Sequence, residues 1–252
     1  MMRPPLTFVI CATPRTGSTL LCALLAATDV AGRPESFYRA EDRAEWAEEW
    51  GVTCDSCGSP VPASYLHAAI RAGQSANGVC GIRIQAATLP VFMDELRSLF
   101  PDTGDDGALF AKAFGPCHFI WCRRGDDVAQ SISRLKAEVS QIWHLDGTEP
   151  KIPQGRASYD AARIDAFRAE IAEGNARWVH WFAANAIAPV ILDYETFAKD
   201  PKHHVHALLA AAGLALDTDT ALTVANRRMA NAESAIWAER YRAERGLAPF
   251  QC

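Results

Sequence analysis

The chain has 252 residues, of which 49% are hydrophobic and 22% charged, and a formal net charge of −5. That balance describes a globular protein long enough to bury about 75% of its unfolded surface. The absence of any Lys/Arg-rich block argues against a nucleic-acid partner, which needs clustered positive charge. Eight cysteines (11, 22, 54, 57, 80, 117, 122 and 252) sit in a chain too large to need disulfide staples, and four lie in or beside apolar runs, where Cys acts as a small hydrophobe. Arg15 and a Thr/Gly/Ser cluster interrupt the apolar stretch between Met1 and Ala27, so neither a signal peptide nor a membrane span is expected, and the cytoplasm is the expected compartment. No Pro/Gly/Ser-rich linker divides the sequence. One domain over 1–252 is expected, with individual loops at about 40–62 and 147–156.

In chain order, Thr7 to Ala12 is a short β-rich apolar run closed by Pro14 and Gly17. Ser18 to Ala27 follows with Leu20, Leu21, Leu24 and Leu25 at helical spacing. Ala40 to Trp50 is acidic with two tryptophans, and Val52 to Pro62 reads as a loop holding Cys54 and Cys57; neither fits a simple pattern. Helical patterns at 64–74, 89–100, 126–144 and 160–188 alternate with buried-strand patterns at 79–84, 118–122 and 189–193. Gly147 to Arg156 is Pro/Gly-rich and reads as a flap. Strands alternating with helices imply an α/β fold, a P-loop-like doubly wound parallel sheet flanked by helices. Ligands in such sheets bind at the carboxyl ends of the strands.

The loop Thr13-Pro-Arg-Thr-Gly-Ser-Thr19 lies at the first such end. A strand-to-helix loop aims free backbone N–H groups at one point, where the helix dipole adds positive potential. Gly17 permits close approach; Thr16, Ser18 and Thr19 offer hydroxyls; Arg15 supplies a forked cation for phosphate or sulfate. Helix capping alone does not require the arginine. The pattern is not a Walker A loop, because the first glycine is missing and Ser18 stands where the lysine belongs. A magnesium-dependent phosphotransferase of the P-loop class is therefore the disfavoured alternative.

A second junction reads Cys122-Arg-Arg-Gly-Asp-Asp-Val-Ala-Gln-Ser-Ile-Ser133. Arg123 and Arg124 end a strand, Asp126 or Asp127 caps the next helix, and Ser131 and Ser133 lie within its first two turns. An arginine eight residues before a serine, as from Arg123 to Ser131, is spaced to pinch one phosphate. Surface arginines beside a helix cap would look similar.

Together the two elements resemble the phosphate-binding loops of sulfotransferases that use 3′-phosphoadenosine 5′-phosphosulfate (PAPS). More narrowly, the chain resembles the bacterial Stf0-type family that includes trehalose 2-sulfotransferase. The matching segments are Ala12 to Leu21, Gly32-Arg-Pro-Glu-Ser-Phe-Tyr38, Asn77 to Arg83, Arg123 to Trp143, Glu173 to Phe182 and Glu233 to Tyr241, collinear over nearly the whole chain. The resemblance implies that residues Arg15 to Thr19 hold the 5′-phosphosulfate, and that Arg123 or Arg124 with Ser131 or Ser133 holds the 3′-phosphate. It also implies no metal, and an in-line displacement in which a small hydroxylated acceptor, a saccharide or glycolipid, attacks sulfur. Adenosine 3′,5′-bisphosphate (PAP) then leaves, with Arg15 stabilising the developing charge. The glutamate thought to be the family's general base falls on Ser36 here. Glu35 is its expected replacement, with His144 and Asp146 in reserve. That departure keeps a catalytically silent PAP/PAPS-binding protein among the readings. Arg83 stands where relatives carry a lysine and is expected near the sulfuryl group or the acceptor, or else paired to a carboxylate. Phe37 and Tyr38 are the expected aromatic platform for a sugar ring. Some relatives are dimers, which leaves a homodimer open.

Other signals carry less. Cys54-x-x-Cys57 lacks two further ligands at zinc spacing. His203, His204 and His206 follow Asp200-Pro201 and read as a solvated helix start. Trp143, Trp178, Trp181 and Trp237 lie in helical patterns and most are expected in the core, although Trp237 with Arg240 and Tyr241 would also suit covering an adenine edge.

Overall fold

The structure is a computed structural model that describes residues 3–142, 155–216, 222 and 232–251. Four strands, β1 (Thr7–Ala12), β2 (Cys80–Gln85), β3 (Cys117–Arg123) and β4 (Val190–Asp193), pair in parallel in the order β2-β1-β3-β4. Ile10 faces Arg83 on one side and Ile120 on the other. The connection from β1 leads to β2 and that from β3 leads to β4, in opposite directions. The carboxyl ends of β1 and β3 therefore flank the point where the winding reverses, which is where an open α/β sheet forms its crevice.

The ten described helices are α1 (Ser18–Ala27), α2 (Arg43–Glu49), α3 (Pro62–Gly73), α4 (Leu89–Leu99), α5 (Asp106–Phe114), α6 (Asp127–Ser140), α7 (Ala161–Ala184), α8 (Tyr194–Phe197), α9 (Pro201–Ala211) and α10 (Ala232–Arg245). Strand alternation divides the core between them. Val9, Cys11, Ile82, Ile84 and Trp121 pack with Leu66, Phe92, Phe110 and Trp178 from α3, α4, α5 and α7. Phe8, Ile10, Ala12, Ile120 and Leu192 turn to the opposite face, against Leu21 and Leu25 of α1 and Val205 and Leu209 of α9. A third cluster joins Val128, Ile132 and Leu135 of α6 to Ile164 and Phe167 of α7 and Trp237 and Tyr241 of α10. The sheet is thus covered on both faces, as a doubly wound fold requires.

The first strand and helix fall where the sequence pattern puts them, and the other expected strands are shifted by no more than a residue or two. Helix α3 starts at Pro62 rather than at 64, because proline suits the first helical turn. Helix α6 stops at Ser140 before Gln141, whose backbone is left-handed (φ 57°). Helix α7 ends at Ala184 rather than 188. Helices α2 and α5 had no counterpart in the pattern. Helix α9 does begin at the Asp200-Pro201 pair, with the Asp200 side chain accepting from His203 N–H at 3.1 Å. Cys11, Cys22, Cys80 and Cys122 are buried, and burial pushes the Cys22 and Cys80 thiols up to about 12. Among the described residues, no helix is long and apolar enough to cross a membrane.

Candidate active site

Loop 13–17 reaches the crevice through two left-handed residues, Arg15 (φ 68°) and Gly17 (φ 81°). Glycine takes that conformation freely, and here it is also needed for space. A Cβ on Gly17 would lie 2.9 Å from the Tyr194 ring. Arg15 bears the cost of a left-handed backbone without that excuse. The loop is held by its own and neighbouring side chains. Thr16 Oγ1 donates to the Thr13 carbonyl (3.0 Å), and Gln130 of α6 donates to Thr13 Oγ1 (3.1 Å) and to the Pro14 carbonyl (2.7 Å). From α7, Asn175 accepts from Thr13 Oγ1 at 3.5 Å. Gly174 lets α7 close in, since a Cβ there would lie 2.8 Å from Thr13 Cγ2. Gln130, Gly174 and Asn175 are supports that spacing alone did not expose. Gln130 sits beside the serines singled out in α6, and Gly174-Asn175 sits in a matched segment.

Arg15 lies over this loop and donates from Nε to Ser133 Oγ at 3.0 Å, tying β1's loop to α6. Burial, and then the neighbouring Arg124, push its guanidinium down to about 10, while Tyr194 acts in the opposite sense. The Arg124 guanidinium is 4.4 Å from the Tyr194 ring centroid and 3.9 Å from Glu195. Arg124 is thus near enough to Arg15 to act on its charge, and the Tyr194 ring it covers abuts Gly17, next to the start of α1, where the first N–H groups have no partner within the helix. That arrangement fits a multiply charged anion.

The paired alternatives at the second junction separate in the structure. Arg123 turns to Asp193 at the end of β4 in a two-pronged pair, at 2.5 and 3.2 Å. Ser131 is fully buried and donates to the Asp127 carbonyl at 2.8 Å. Arg124 and Ser133 are the members that approach Arg15, so the Arg123–Ser131 pinch suggested by spacing is not formed. Glu195, which no pattern marked, accepts from both Gly125 N–H (3.1 Å) and Asp126 N–H (3.2 Å). A carboxylate of the protein itself therefore engages the amides at that turn, and Asp126 caps α6 by accepting from Ala129 N–H at 2.9 Å.

A second group of polar residues adjoins the first through Thr19. Arg83, buried in β2, donates to Thr19 Oγ1 (2.8 Å), Ser36 Oγ (2.7 Å) and Glu35 Oε1 (2.5 Å). Glu35 Oε1 also accepts from Ser36 N–H at 2.7 Å, while Oε2 makes no hydrogen bond among the described residues. The position where the family's base is expected thus holds a buried hydroxyl turned to Arg83, and the neighbouring carboxylate is half exposed with one oxygen open. Ser18 is buried at the start of α1. Trp143, His144 and Asp146 lie outside the described residues.

Phe37 and Tyr38 do not form an exposed platform. Both are buried, Phe37 against the edges of Trp46 and Trp50 and Tyr38 between Tyr65 and Phe92. The reason is α2, which with its C-cap residue lays Trp46 and Trp50 over this segment. Trp237 and Tyr241 likewise are buried between α6 and α7 and cover no crevice, and Arg240 is turned to Glu244 and Tyr159.

Comparison with known proteins agrees with this architecture. A family model described as Stf0 sulphotransferase matches residues 7–244. A trehalose 2-sulfotransferase of Mycobacterium tuberculosis (strain ATCC 35801 / TMC 107 / Erdman) is 29% identical, over 97% of this chain and 97% of its own. One of Mycolicibacterium smegmatis (strain ATCC 700084 / mc(2)155) is 27% identical, over 94% and 95%. Among solved structures, the sulfotransferase domain from the Synechococcus PCC 7002 olefin synthase has a TM-score of 0.54 at 12% identity, covering 96% of this chain and 89% of that one. The sulfotransferase domain from the curacin biosynthetic pathway has 0.51 at 12%, covering 98% and 99%. The fold is that of sulfotransferases, and the chain belongs to the Stf0 sulphotransferase family.

Proposed function

We propose that the protein transfers a sulfuryl group from PAPS to a hydroxyl of a saccharide. The observation that carries the donor half is the Arg15–Ser133 hydrogen bond over the loop that leads into α1, with Arg124 on the Tyr194 ring that Gly17 of the same loop abuts, at the reversal point of the sheet. Arg15 and the first turn of α1, Gly17 to Thr19, take the 5′-phosphosulfate, and Arg124 with Ser133 takes the 3′-phosphate. The names of the trehalose 2-sulfotransferases support a sugar acceptor. In the reaction the acceptor oxygen bonds to sulfur, the bond from sulfur to the bridging phosphate oxygen breaks, and PAP departs. Glu35 Oε2 receives the hydroxyl proton. Arg83 holds the other oxygen of that carboxylate, and through Thr19 it fixes Glu35 relative to the donor loop.

Calorimetric titration with PAP, and with 5′-AMP as the ligand lacking the 3′-phosphate, tests the donor half. PAP should bind much more tightly than AMP. Arg124→Ala should remove one charge-assisted contact, about 1.5–3 kcal/mol or roughly 10- to 100-fold in Kd, and bring the two ligands closer together. Arg123→Ala should leave that preference standing. Loss of the preference in Arg123→Ala alone would move the 3′-phosphate to Arg123, and equal binding of PAP and AMP by the unaltered protein would refute the reading. Mass-spectrometric detection of an added SO₃ after incubation with PAPS and sugars tests the transfer itself.

A further inference from the structure

We infer that the hairpin between α2 and α3 is a braced two-thiolate site for a soft divalent metal ion, Zn²⁺, held by Cys54 and Cys57. The inference stands independently of the sulfotransferase reading, because the hairpin supplies none of the residues placed around the donor loop. Three backbone hydrogen bonds close it. Val61 N–H donates to the Thr53 carbonyl (2.9 Å), Asp55 N–H to the Ser59 carbonyl (2.8 Å) and Gly58 N–H to the Asp55 carbonyl (3.1 Å). Cys54 and Pro60 form an antiparallel bridge. The turn therefore runs from Asp55 to Gly58, and Gly58 takes the left-handed backbone (φ 80°) that reverses the chain. Asp55 braces the turn from inside, its Oδ1 accepting from the Cys57 and Ser59 N–H groups at 2.9 Å each. Cys54 thus stands on the last strand position before the turn and Cys57 within it, so both thiols belong to one end of the hairpin.

The two thiols differ from the rest. Both are exposed and free, whereas Cys11, Cys22, Cys80 and Cys122 are buried and Cys117 is half-buried. Burial raises the thiols of those five, which keeps them protonated and inert toward metals. The Cys57 thiol has no hydrogen-bond partner among the described residues, and the Cys54 thiol has only a long contact of 3.8 Å to the Val52 carbonyl. Two intervening residues is the spacing of chelating cysteine pairs in zinc sites. Thiolate ligands select Zn²⁺ over Mg²⁺ and Ca²⁺, which prefer oxygen. Each thiol gives its proton to solvent as its sulfur bonds to the ion. Among the described residues no third His, Cys, Asp or Glu joins the pair, so the remaining positions of a tetrahedral ion fall to ligands from outside the hairpin. The site is therefore an open chelate and not a closed four-ligand structural zinc.

Titration of the fully reduced protein with Co²⁺, with a phosphine and not a thiol as reductant, reads the site through thiolate-to-cobalt charge-transfer absorption. The band should grow saturably, persist in excess Mg²⁺ and be bleached when Zn²⁺ displaces the cobalt. Cys54→Ser and Cys57→Ser are exposed changes that leave the core intact. Each should weaken the ion about tenfold or more, since even the outer partners of metal ligands are worth about 10- to 100-fold in affinity. Cys252→Ser, at a cysteine outside the described residues, should leave the band unchanged. Gly58→Ala meets no neighbouring atom but puts a Cβ on a left-handed residue, and by disturbing the turn it should weaken the ion about fivefold or more. No charge-transfer band, affinity unchanged in both hairpin serine variants, or loss of the band in Cys252→Ser would each overturn the site. Gly58→Ala binding as tightly as the unaltered protein would show a slack pair of thiols and overturn the hairpin's part in it.

Discussion

Glu35 is half exposed and shares its Oε1 between the Arg83 guanidinium and the Ser36 amide, so its role is separable from folding. Glutamine keeps an oxygen for both donors and removes only the basic oxygen. Glu35→Gln should therefore bind PAP within about threefold of the unaltered protein and lose about 10²- to 10⁴-fold in turnover, the usual contribution of a general base. Turnover retained within a few-fold would assign the proton elsewhere. The position of the candidate loop was legible from Arg15, Gly17 and the hydroxyls around them, because a surplus arginine at a strand-loop-helix junction stands out, and the structure puts that loop between β1 and α1. Arg83 was legible only through resemblance. The pairing of Arg123 was not legible at all, since it depends on Asp193, 70 residues away, capturing one of two adjacent side chains. Glu195 lies in a four-residue helix that gives no periodic signal.

At the scale of elements, the long amphipathic helices and the apolar strands announced themselves, whereas α2 spans seven residues and buries only Ala47 along its length. Too short for a periodic stripe, it still decides the fate of Phe37, which is why the aromatic platform was misplaced by one layer. Helix α10 presents the converse case, a helix tied down largely by charge. Tyr241 and Arg245 both donate to Asp165 of α7 (2.5 and 2.5 Å), and Arg242 donates to Asp126 at the cap of α6 (2.6 Å). Hydrogen bonds from Arg245 first and Tyr241 second lower the Asp165 carboxyl from 3.8 to about 2. A carboxyl held below its unfolded value stabilises fully above that value and loses the contribution as pH falls toward the folded one. The hold on α10 should thus weaken between about pH 4 and 2. Hydrogen-exchange protection of residues 232–245 should fall in that window relative to β1, and Asp165→Asn should show reduced protection already at neutral pH. Equal protection of the two proteins at neutral pH would show that Trp237 and Tyr241 hold the helix by packing alone.

Across the whole molecule, the crevice is where separately built parts meet. The loop after β1 rests on α1 and the core cluster behind it, Ser133 and Gln130 belong to α6, whose apolar residues sit in the third cluster, and Tyr194 and Glu195 follow β4. An anion held between the half-buried Arg15 and Arg124 would link these parts in one step. Ligand that binds only the folded state adds RT ln(1 + [L]/Kd), about 2.7 kcal/mol at a hundred times Kd. For a chain of this size each kcal/mol raises Tm by roughly 2–4 °C, so PAP at that concentration should raise it by about 5–10 °C. AMP at the same concentration should raise it by less, and Arg15→Ala should abolish most of the PAP shift, because the substitution removes the cation common to loop and α6. A full shift in Arg15→Ala would mean that the nucleotide is held away from the α1 N-terminus. The shift should also be shared by probes in all three core clusters, since the ligand bridges elements anchored in different ones. A transition that moved for Trp237 but not for Trp178 would place the binding energy in α6 alone and leave the β1 loop out of the site.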